Sequence, residues 1–259
     1  RQRQMCIRDR NVVVENCVGR SSASGLKFGT VSRGGFRNFK VKNIKIYDTY
    51  RSAITFAAVD GALIENIEVD GVRSIHTGNV IYLRIGDRWS AGKKPVMKNI
   101  TIKNVYAEIP MDKPDAGYNY EGPIEDLPRN ISPASIVGLP EYKIQNVTLR
   151  NIEIVSPGGG NPYYAYRGLT PAELDSIPEM ATSYPEFSQF KELPAWGFYI
   201  RHAEGITFDN VKFKALKKDY RPAIVMDDAG EVTFKDVRFI EPEGEGKKQI
   251  FPYKSKVIK

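Results

Sequence analysis

A short motif recurs along the chain and limits the folds that are open to it. The motif is Asn-apolar-x-apolar-x-Asn, which appears first as NVVVENC from residue 11 and again as NITIKNV from residue 99. Its closing Asn or Asp falls at Asn16, Asn43, Asn66, Asn104, Asn151, Asn210 and Asp236. Such a repeat indicates stacked units that share one core, because a single unit cannot bury its own apolar face.

The apolar residues of each motif alternate with period two, which is typical of strands with one buried face. Further strand-like runs lie at 24–30, 52–59, 79–86, 195–202 and 221–228, and the only helix-like stretch is a possible turn at 170–177. We therefore predict an all-β chain that folds as a right-handed parallel β-helix, with about seven coils and long inserted loops. The Asn at each bend is expected to hydrogen-bond the backbone of neighbouring coils.

The amino end of the chain differs from the rest. Residues 1–10 read RQRQMCIRDR, with four arginines, one aspartate and no periodicity. We predict that residues 1–10 are a non-native segment and that residues 11–259 form a single domain, truncated at its amino end. The alternative is a basic arm for nucleic acid, but no aromatic or base-reading module accompanies it, so no nucleic-acid partner is expected. No run approaches 18 uncharged apolar residues, so no membrane span is expected either.

Residues 11–86 resemble the polygalacturonase family, glycoside hydrolase family 28. One stretch that carries the likeness is ENCVGRSSASGLKFGTVSRGGFRNFKVKN (15–43), and the similarity covers roughly residues 11–240, strongly as a repeat pattern and weakly as catalytic motifs. The resemblance implies a secreted or periplasmic enzyme that hydrolyses pectin-type polysaccharide with inversion of configuration, without a cofactor or metal. Inverting hydrolysis uses one carboxylic acid to protonate the leaving oxygen and another carboxylate to activate water.

The catalytic motifs of that family are not found at their usual places. The family's aspartates lie on coils before the stretch quoted above, so the catalytic residues are expected upstream of Asn11. The family's Gly-His-Gly is replaced within residues 22–25, and its Arg-Ile-Lys becomes Thr55-Phe56-Ala57. Asp227 and Asp228 form an acidic pair near the carboxyl end, which is interpreted either as turn residues that cap the local backbone or as a substitute catalytic pair.

Strand alternation predicts which side chains meet a substrate. If the apolar residues of the second strand-like runs point inward, their alternate neighbours point outward, and several of these are basic or aromatic. Arginine binds carboxylates in a bidentate manner, so such a row suits an acidic or pectin-type polysaccharide. The alternative is a solvated face decorated with cations. The predicted substrate-binding residues are Lys27, Tyr82, Arg84, Arg88, Tyr199 and Arg201.

Long insertions at about 87–96, 110–143 and 156–196 hold many aromatic residues, which either stack on sugar rings or pack the loops onto the body. These include Trp89, Trp196, Tyr118, Tyr120, Tyr163, Tyr164 and Tyr166. The two histidines, His76 and His202, are far apart and lack neighbours at ligand spacing, so no metal site is predicted; His76 is a weak candidate for substrate contact.

Three functions remain in competition. The leading hypothesis is the pectin-type glycoside hydrolase, working as a monomer. The second is a non-catalytic glycan-binding or structural protein of the adhesin or phage-tail type. The third, a calcium-dependent polysaccharide lyase, requires clustered acidic ligands, and the outward positions are basic instead.

Overall fold

The computed structural model describes residues 8–111, 132–160, 168–190 and 192–258. Strands make up 63% of the chain and helices 4%, so the all-β prediction is confirmed. In the described ranges no helix is both long enough and apolar enough to cross a membrane. The strands are β1 (Arg8–Ser21), β2 (Leu26–Phe28), β3 (Gly35–Ala58), β4 (Leu63–Ile85), β5 (Val96–Glu108), β6 (Ala134–Val137), β7 (Ile144–Gly158), β8 (Phe198–Lys217), β9 (Ile224–Ile240), β10 (Ile250–Tyr253) and β11 (Val257–Ile258). The helices are α1 (Pro171–Asp175) and a 3₁₀ helix at Phe187–Phe190.

The prediction of a right-handed parallel β-helix is wrong: the core is a closed barrel of five parallel strands, to which the other strands are added. Its strands pair in the order β4, β5, β7, β8 and β6, and β6 returns to β4. Ser135 of β6 is the partner of both Tyr82 in β4 and Tyr199 in β8, and this double pairing closes the ring. The motif alone could not predict this closure, because β6 carries no copy of the motif.

The recurring asparagines are the corners at which the long strands change direction. Ten of them, from Asn11 to Asn210, adopt a left-handed backbone with φ between 51° and 57°. Asparagine tolerates this conformation far better than most side chains. The prediction that these asparagines hydrogen-bond the backbone of neighbouring coils is wrong, because their side-chain amides hydrogen-bond one another. Asn99 donates to Asn66 at 3.0 Å and accepts from Asn146 at 3.1 Å.

The corners form two ladders, one from the opening and one from the closing Asn of each motif. Asn66 was predicted to close its motif, but it is aligned with Asn38 and accepts from Asn99, so it belongs to the opening ladder. The closing position in β4 is Gly71, which lies between Asn43 and Asn104 in the strand register. Gly71 has a φ of 81° and carries no amide. The closing ladder is therefore interrupted at this point.

Two apolar clusters lie on opposite sides of the second half of the long strands. The main core fills the barrel, and Ile81, Leu83 and Ile85 point into it, as strand alternation predicted. The second cluster lies between the outer face and residues 174–195, where Tyr82 and Tyr199 are in contact with residues from outside the sheet. The outer face is thus a buried layer.

Replacement of Asn99 tests the ladder. Asn99→Ala removes two amide hydrogen bonds and puts alanine in the left-handed backbone conformation, where its Cβ is strained and no side-chain hydrogen bond compensates. We therefore expect it to lower the free energy of unfolding by about 2–3 kcal/mol. Asn99→Gly removes the same bonds but tolerates the backbone, so about 1 kcal/mol is expected. Urea unfolding of both variants measures the difference. Equal losses would show that the backbone conformation is unimportant.

Candidate functional site

Four of the predicted substrate-binding residues face away from the main core but are not exposed. Their accessible fraction is at most 7%, so the expectation of an open row is wrong for Tyr82, Arg84, Tyr199 and Arg201. They lie beneath residues 168–190, which we call the covering segment, and beneath the residues that follow it. Whether these four residues contact a substrate stays a prediction.

The covering segment is held down by its own apolar residues. Helix α1 begins at a capping box, in which Thr170 accepts a hydrogen bond from the backbone of Glu173 while Glu173 accepts one from the backbone of Thr170. The cap directs Leu174 toward the sheet, and Phe187 and Phe190 of the 3₁₀ helix follow on the same side. Burial of these large side chains stabilises the segment on the outer face.

The two buried arginines bind the covering segment rather than solvent. Arg84 donates to the carbonyl of Gly138 at 3.2 Å and to the carbonyl of Glu179. Arg201 donates to the carbonyl of Ile177 at 2.6 Å and pairs with the carboxylate of Glu179 at 2.7 Å. A buried guanidinium requires such partners, because an unpaired buried charge is strongly destabilising. These arginines therefore position the segment.

His202 joins the segment to the sheet through two carboxylates. Its Nδ1 lies 2.7 Å from Asp228 Oδ2, and its Nε2 lies 3.1 Å from Glu179 Oε1. Asp228 also accepts from Lys143 at 2.8 Å, while Asp227 lies 3.0 Å from the guanidinium of Arg201. The aspartate pair thus binds side chains rather than capping a turn. The other histidine, His76, is separate from this cluster, with its Nδ1 3.3 Å from Asp48 Oδ1.

The surroundings shift the pKa values of these carboxyls in opposite directions. Burial raises the pKa of Asp227, although the charge of Arg201 opposes it. Burial also acts to raise the pKa of Glu179 and Asp228, but it is outweighed and the two values are lowered. The opposing causes are hydrogen bonding with His202 at both carboxyls, the charge of Arg201 at Glu179, and the hydrogen bond from Lys143 at Asp228. Glu179 and Asp228 therefore remain ionised at neutral pH.

An open site lies at the margin of the covering segment, where two exposed aromatic rings are surrounded by cations. Trp89 is 53% exposed and Tyr184 is 40% exposed. The guanidinium carbon of Arg88 lies 3.8 Å from the centre of the Trp89 ring and 5.5 Å from that of Tyr184. We call this the cationic-aromatic site, and it comprises Lys27, Arg33, Arg51, Arg88, Trp89 and Tyr184.

The hydroxyl of Tyr184 receives three hydrogen bonds. Lys27 donates at 3.0 Å, and Thr30 and Arg51 each donate at 3.5 Å. Partial burial acts to raise the pKa of the phenol, but the bonds from Lys27 and Thr30 and the charge of Lys27 outweigh it and lower the pKa of Tyr184 to about 8. The phenol is thus poised to ionise just above neutral pH.

The cations of the site differ in whether a carboxylate neutralises them. Arg88 makes a bidentate pair with the buried Asp60, at 3.1 and 2.8 Å, and Arg51 pairs with Glu186. Within the described parts of the chain, Lys27 and Arg33 have no carboxylate partner. Arg33 instead donates to the carbonyl of Trp89 at 3.2 Å. The site therefore carries unneutralised positive charge beside an exposed indole ring.

Two of the six predicted residues, Lys27 and Arg88, come together here. Sequence reasoning missed Arg33, Arg51 and Tyr184. Arg51 directly precedes the strand-like run at 52–59, and no face was assigned to it. Tyr184 lies in an insertion without periodicity, so no pattern marks it. Its role depends on how the covering segment packs, which has no local signal.

The insertion aromatics divide between the two expected roles. Trp196 packs in the main core against Phe213, with ring centres 6.4 Å apart, while Trp89 is exposed at the cationic-aromatic site. The five tyrosines singled out in the insertions, at 118, 120, 163, 164 and 166, lie outside the described residues. Over the described ranges, no group of three or more His, Cys, Asp or Glu side chains is placed to hold a metal ion.

Comparison of the chain with protein-family models, with curated proteins and with solved structures gives no match.

Acid should weaken the attachment of the covering segment. Glu179 and Asp228 have lowered pKa values in the folded state, so their contribution is present at neutral pH and is lost as pH falls through those values. Asp227, with its raised pKa, acts in the opposite direction. We expect the free energy of unfolding, measured in urea, to fall more steeply between pH 6 and about pH 3 for the natural chain than for Glu179→Gln. Parallel profiles would contradict this assignment.

Proposed function

We propose that the cationic-aromatic site binds an acidic polysaccharide of the pectin type. The observation that carries the proposal is a pair of exposed rings, Trp89 and Tyr184, each contacted by a cation without a carboxylate partner in the described residues. Arg33 donates to the Trp89 carbonyl, and Lys27 donates to the Tyr184 hydroxyl. Charge-assisted hydrogen bonds from such cations to a uronate carboxylate are roughly twice as strong as neutral ones. An exposed indole offers an apolar face to the sugar ring beside it.

The paired arginine of the site supports recognition in a different way. Arg88 is fixed by two hydrogen bonds to the buried Asp60, so its guanidinium stays over the Trp89 ring without being free to neutralise a ligand. A ring held by a cation on one face keeps its other face for a ligand. The site is therefore preorganised, which reduces the entropy lost on binding.

We propose further that this binding serves the hydrolysis of the polysaccharide, as the resemblance of residues 11–240 to the polygalacturonase family implies. In the described residues of the site, the neighbouring carboxylates Asp60 and Glu186 are each tied to an arginine. Neither is free to act as a general acid or base. We therefore expect this chain alone to bind polygalacturonate without releasing reducing ends.

The tied carboxylates also favour a second candidate function, a glycan-binding protein without catalysis. The two functions differ in one measurable respect. The enzyme is supported if the chain hydrolyses polygalacturonate and if substitution of an identified carboxylate abolishes this hydrolysis. Binding that persists without turnover, even when the coding sequence upstream of Asn11 is added, supports the glycan-binding protein.

Substitutions at the cationic-aromatic site test binding. Lys27→Ala removes the unneutralised ammonium group, and Trp89→Ala removes the exposed ring, so each is expected to weaken the affinity for oligogalacturonate about tenfold, or about 1.4 kcal/mol. Added salt should weaken binding to the natural chain as well. Isothermal titration calorimetry measures both effects. Lys217→Ala, an exposed cation outside the site, is the control. If all three variants bind equally, the proposal is wrong.

The ionisation of Tyr184 predicts a pH dependence. Because the pKa of Tyr184 is about 8, its phenolate forms above that value and competes with a ligand carboxylate for Lys27 and Arg51. We expect oligogalacturonate affinity to be constant below about pH 7 and to fall several-fold by about pH 9. Tyr184→Phe should remove this decline. A decline of the same size in the variant would assign it to another group.

A further inference from the structure

The missing amide at Gly71 opens a notch in the closing ladder. A Cβ built at Gly71 would come no closer than 3.5 Å to any atom, the nearest being the backbone nitrogen of Asn43, so packing leaves room for a side chain there. The contrast is Gly205 in the opening ladder, where a Cβ would lie 2.7 Å from Asn146 Oδ1. The packing of the surrounding atoms therefore does not require a glycine at residue 71.

The ladder changes its bonding around the gap. Asn104, with no amide opposite, donates to the carboxylate of Asp70 at 2.6 Å. Asn43 donates to Asn16 at 2.6 Å, but within the described ranges no side chain donates to its own oxygen. The notch therefore presents an acceptor on each side, Asn43 Oδ1 and the Asp70 carboxylate.

The notch is part of a groove that crosses five strands. The groove has a volume of about 890 Å³ and runs from β3 to β8 along the stacking direction. Four strand spacings of about 4.8 Å give it a length of roughly 19 Å. Its wall is a row of residues in register on successive strands: Lys45, Arg73, Tyr106, Glu153 and Lys212.

The groove is cationic at the end where the notch lies. Its lining has four basic side chains and two acidic ones. Lys212 is neutralised by Glu153 at 2.9 Å, and the guanidinium carbon of Arg73 lies 4.7 Å from the centre of the Tyr106 ring. Lys42 and Lys45 are exposed and have no hydrogen-bonded carboxylate among the described residues.

We infer that this groove is a second binding site for an acidic saccharide chain, with a uronate unit seated in the notch at Gly71. A uronate offers both kinds of group that the notch complements. Its carboxylate pairs with Lys42, Lys45 and Arg73, and its hydroxyls donate to Asn43 and Asp70. A polyphosphate has no sugar hydroxyl to donate to Asn43 and Asp70, and a neutral galactan leaves the cations without an anion.

The choice of a uronate rests on the proposed function, but the site itself is separate from the cationic-aromatic site. The two are therefore tested apart. In a Lys27→Ala, Trp89→Ala background the groove is the remaining site, and nuclear magnetic resonance of side-chain amides reports on it directly. Oligogalacturonate should shift the amide signals of Asn43 and Asn104, whereas galactan and inorganic polyphosphate should not.

Gly71→Asn provides the decisive variant. Asn43 and Asn104 adopt the left-handed backbone beside it, at φ of 51° and 56° against 81° for Gly71. Asparagine tolerates this region and the new amide restores the ladder, so the thermal midpoint should change little. The same amide fills the notch, so the affinity of the groove for oligogalacturonate should fall at least tenfold. Lys45→Ser with Arg73→Ser should give a similar loss, and Lys217→Ser with Lys218→Ser should give none.

The outcomes separate the two proposals. Equal binding by Gly71→Asn and its parent overturns the groove site, as does equal binding of galactan or polyphosphate. Loss of binding in Gly71→Asn with unaltered binding in Lys27→Ala and Trp89→Ala supports the groove while overturning the cationic-aromatic site. A lowered thermal midpoint in Gly71→Asn would contradict the claim that the notch has room for an amide.

Discussion

Left-handed asparagine corners, joined by their amides, are the constraint on which the rest of the structure depends. Each corner turns a long strand without ending it, so that one strand contributes to two parts of the barrel wall. Asn99 has both roles, because it tolerates the left-handed backbone and its amide also hydrogen-bonds the corners on both sides. Since the corners are in register, every position of one motif lies beside the same position of the next. Rows of like residues, and hence grooves and faces, follow from this register.

The same register creates the problem that the covering segment solves. Alternation sends Arg84 and Arg201 out of the core on β4 and β8, the two strands that β6 joins. Neighbours such as Tyr82 and Tyr199 leave this face too apolar to remain in water. Burying that face requires partners for the guanidinium groups, and the carbonyls of Ile177 and Glu179 provide them. Residues expected to bind a ligand thus bind a segment of the chain itself. The proposed ligand site lies instead at the margin of the covering segment, where Tyr184 accepts a hydrogen bond from Lys27.

The sequence was informative where the cause is local and misleading where it is distant. Alternation correctly placed Ile81 and Leu83 in the core, because side-chain direction in a strand depends only on parity. Closure of the barrel depends on β6, four residues that pair with two strands far away in sequence, and no local pattern encodes that choice. Asn66 was assigned to the wrong ladder because glycine replaces asparagine at residue 71, which removed the landmark by which the motif is counted. Burial of Arg84 was unforeseen for a related reason, since it is imposed by residues about 95 positions away.

Charge balance explains why the two open surfaces are suited to ligands while the interior is not. The buried ions near the covering segment are matched, as with Arg201 between Glu179 and Asp227, because an unmatched ion in a poorly solvated place would destabilise the fold. At the surface water makes this matching unnecessary, so Lys27 at the cationic-aromatic site and Lys45 in the groove stand without a carboxylate partner in the described residues. Each stands beside a fixed feature, the ring of Tyr184 for Lys27 and the gap at Gly71 for Lys45. A cation next to a fixed polar or aromatic frame distinguishes one anion from another, which a mobile cation on an even surface does not.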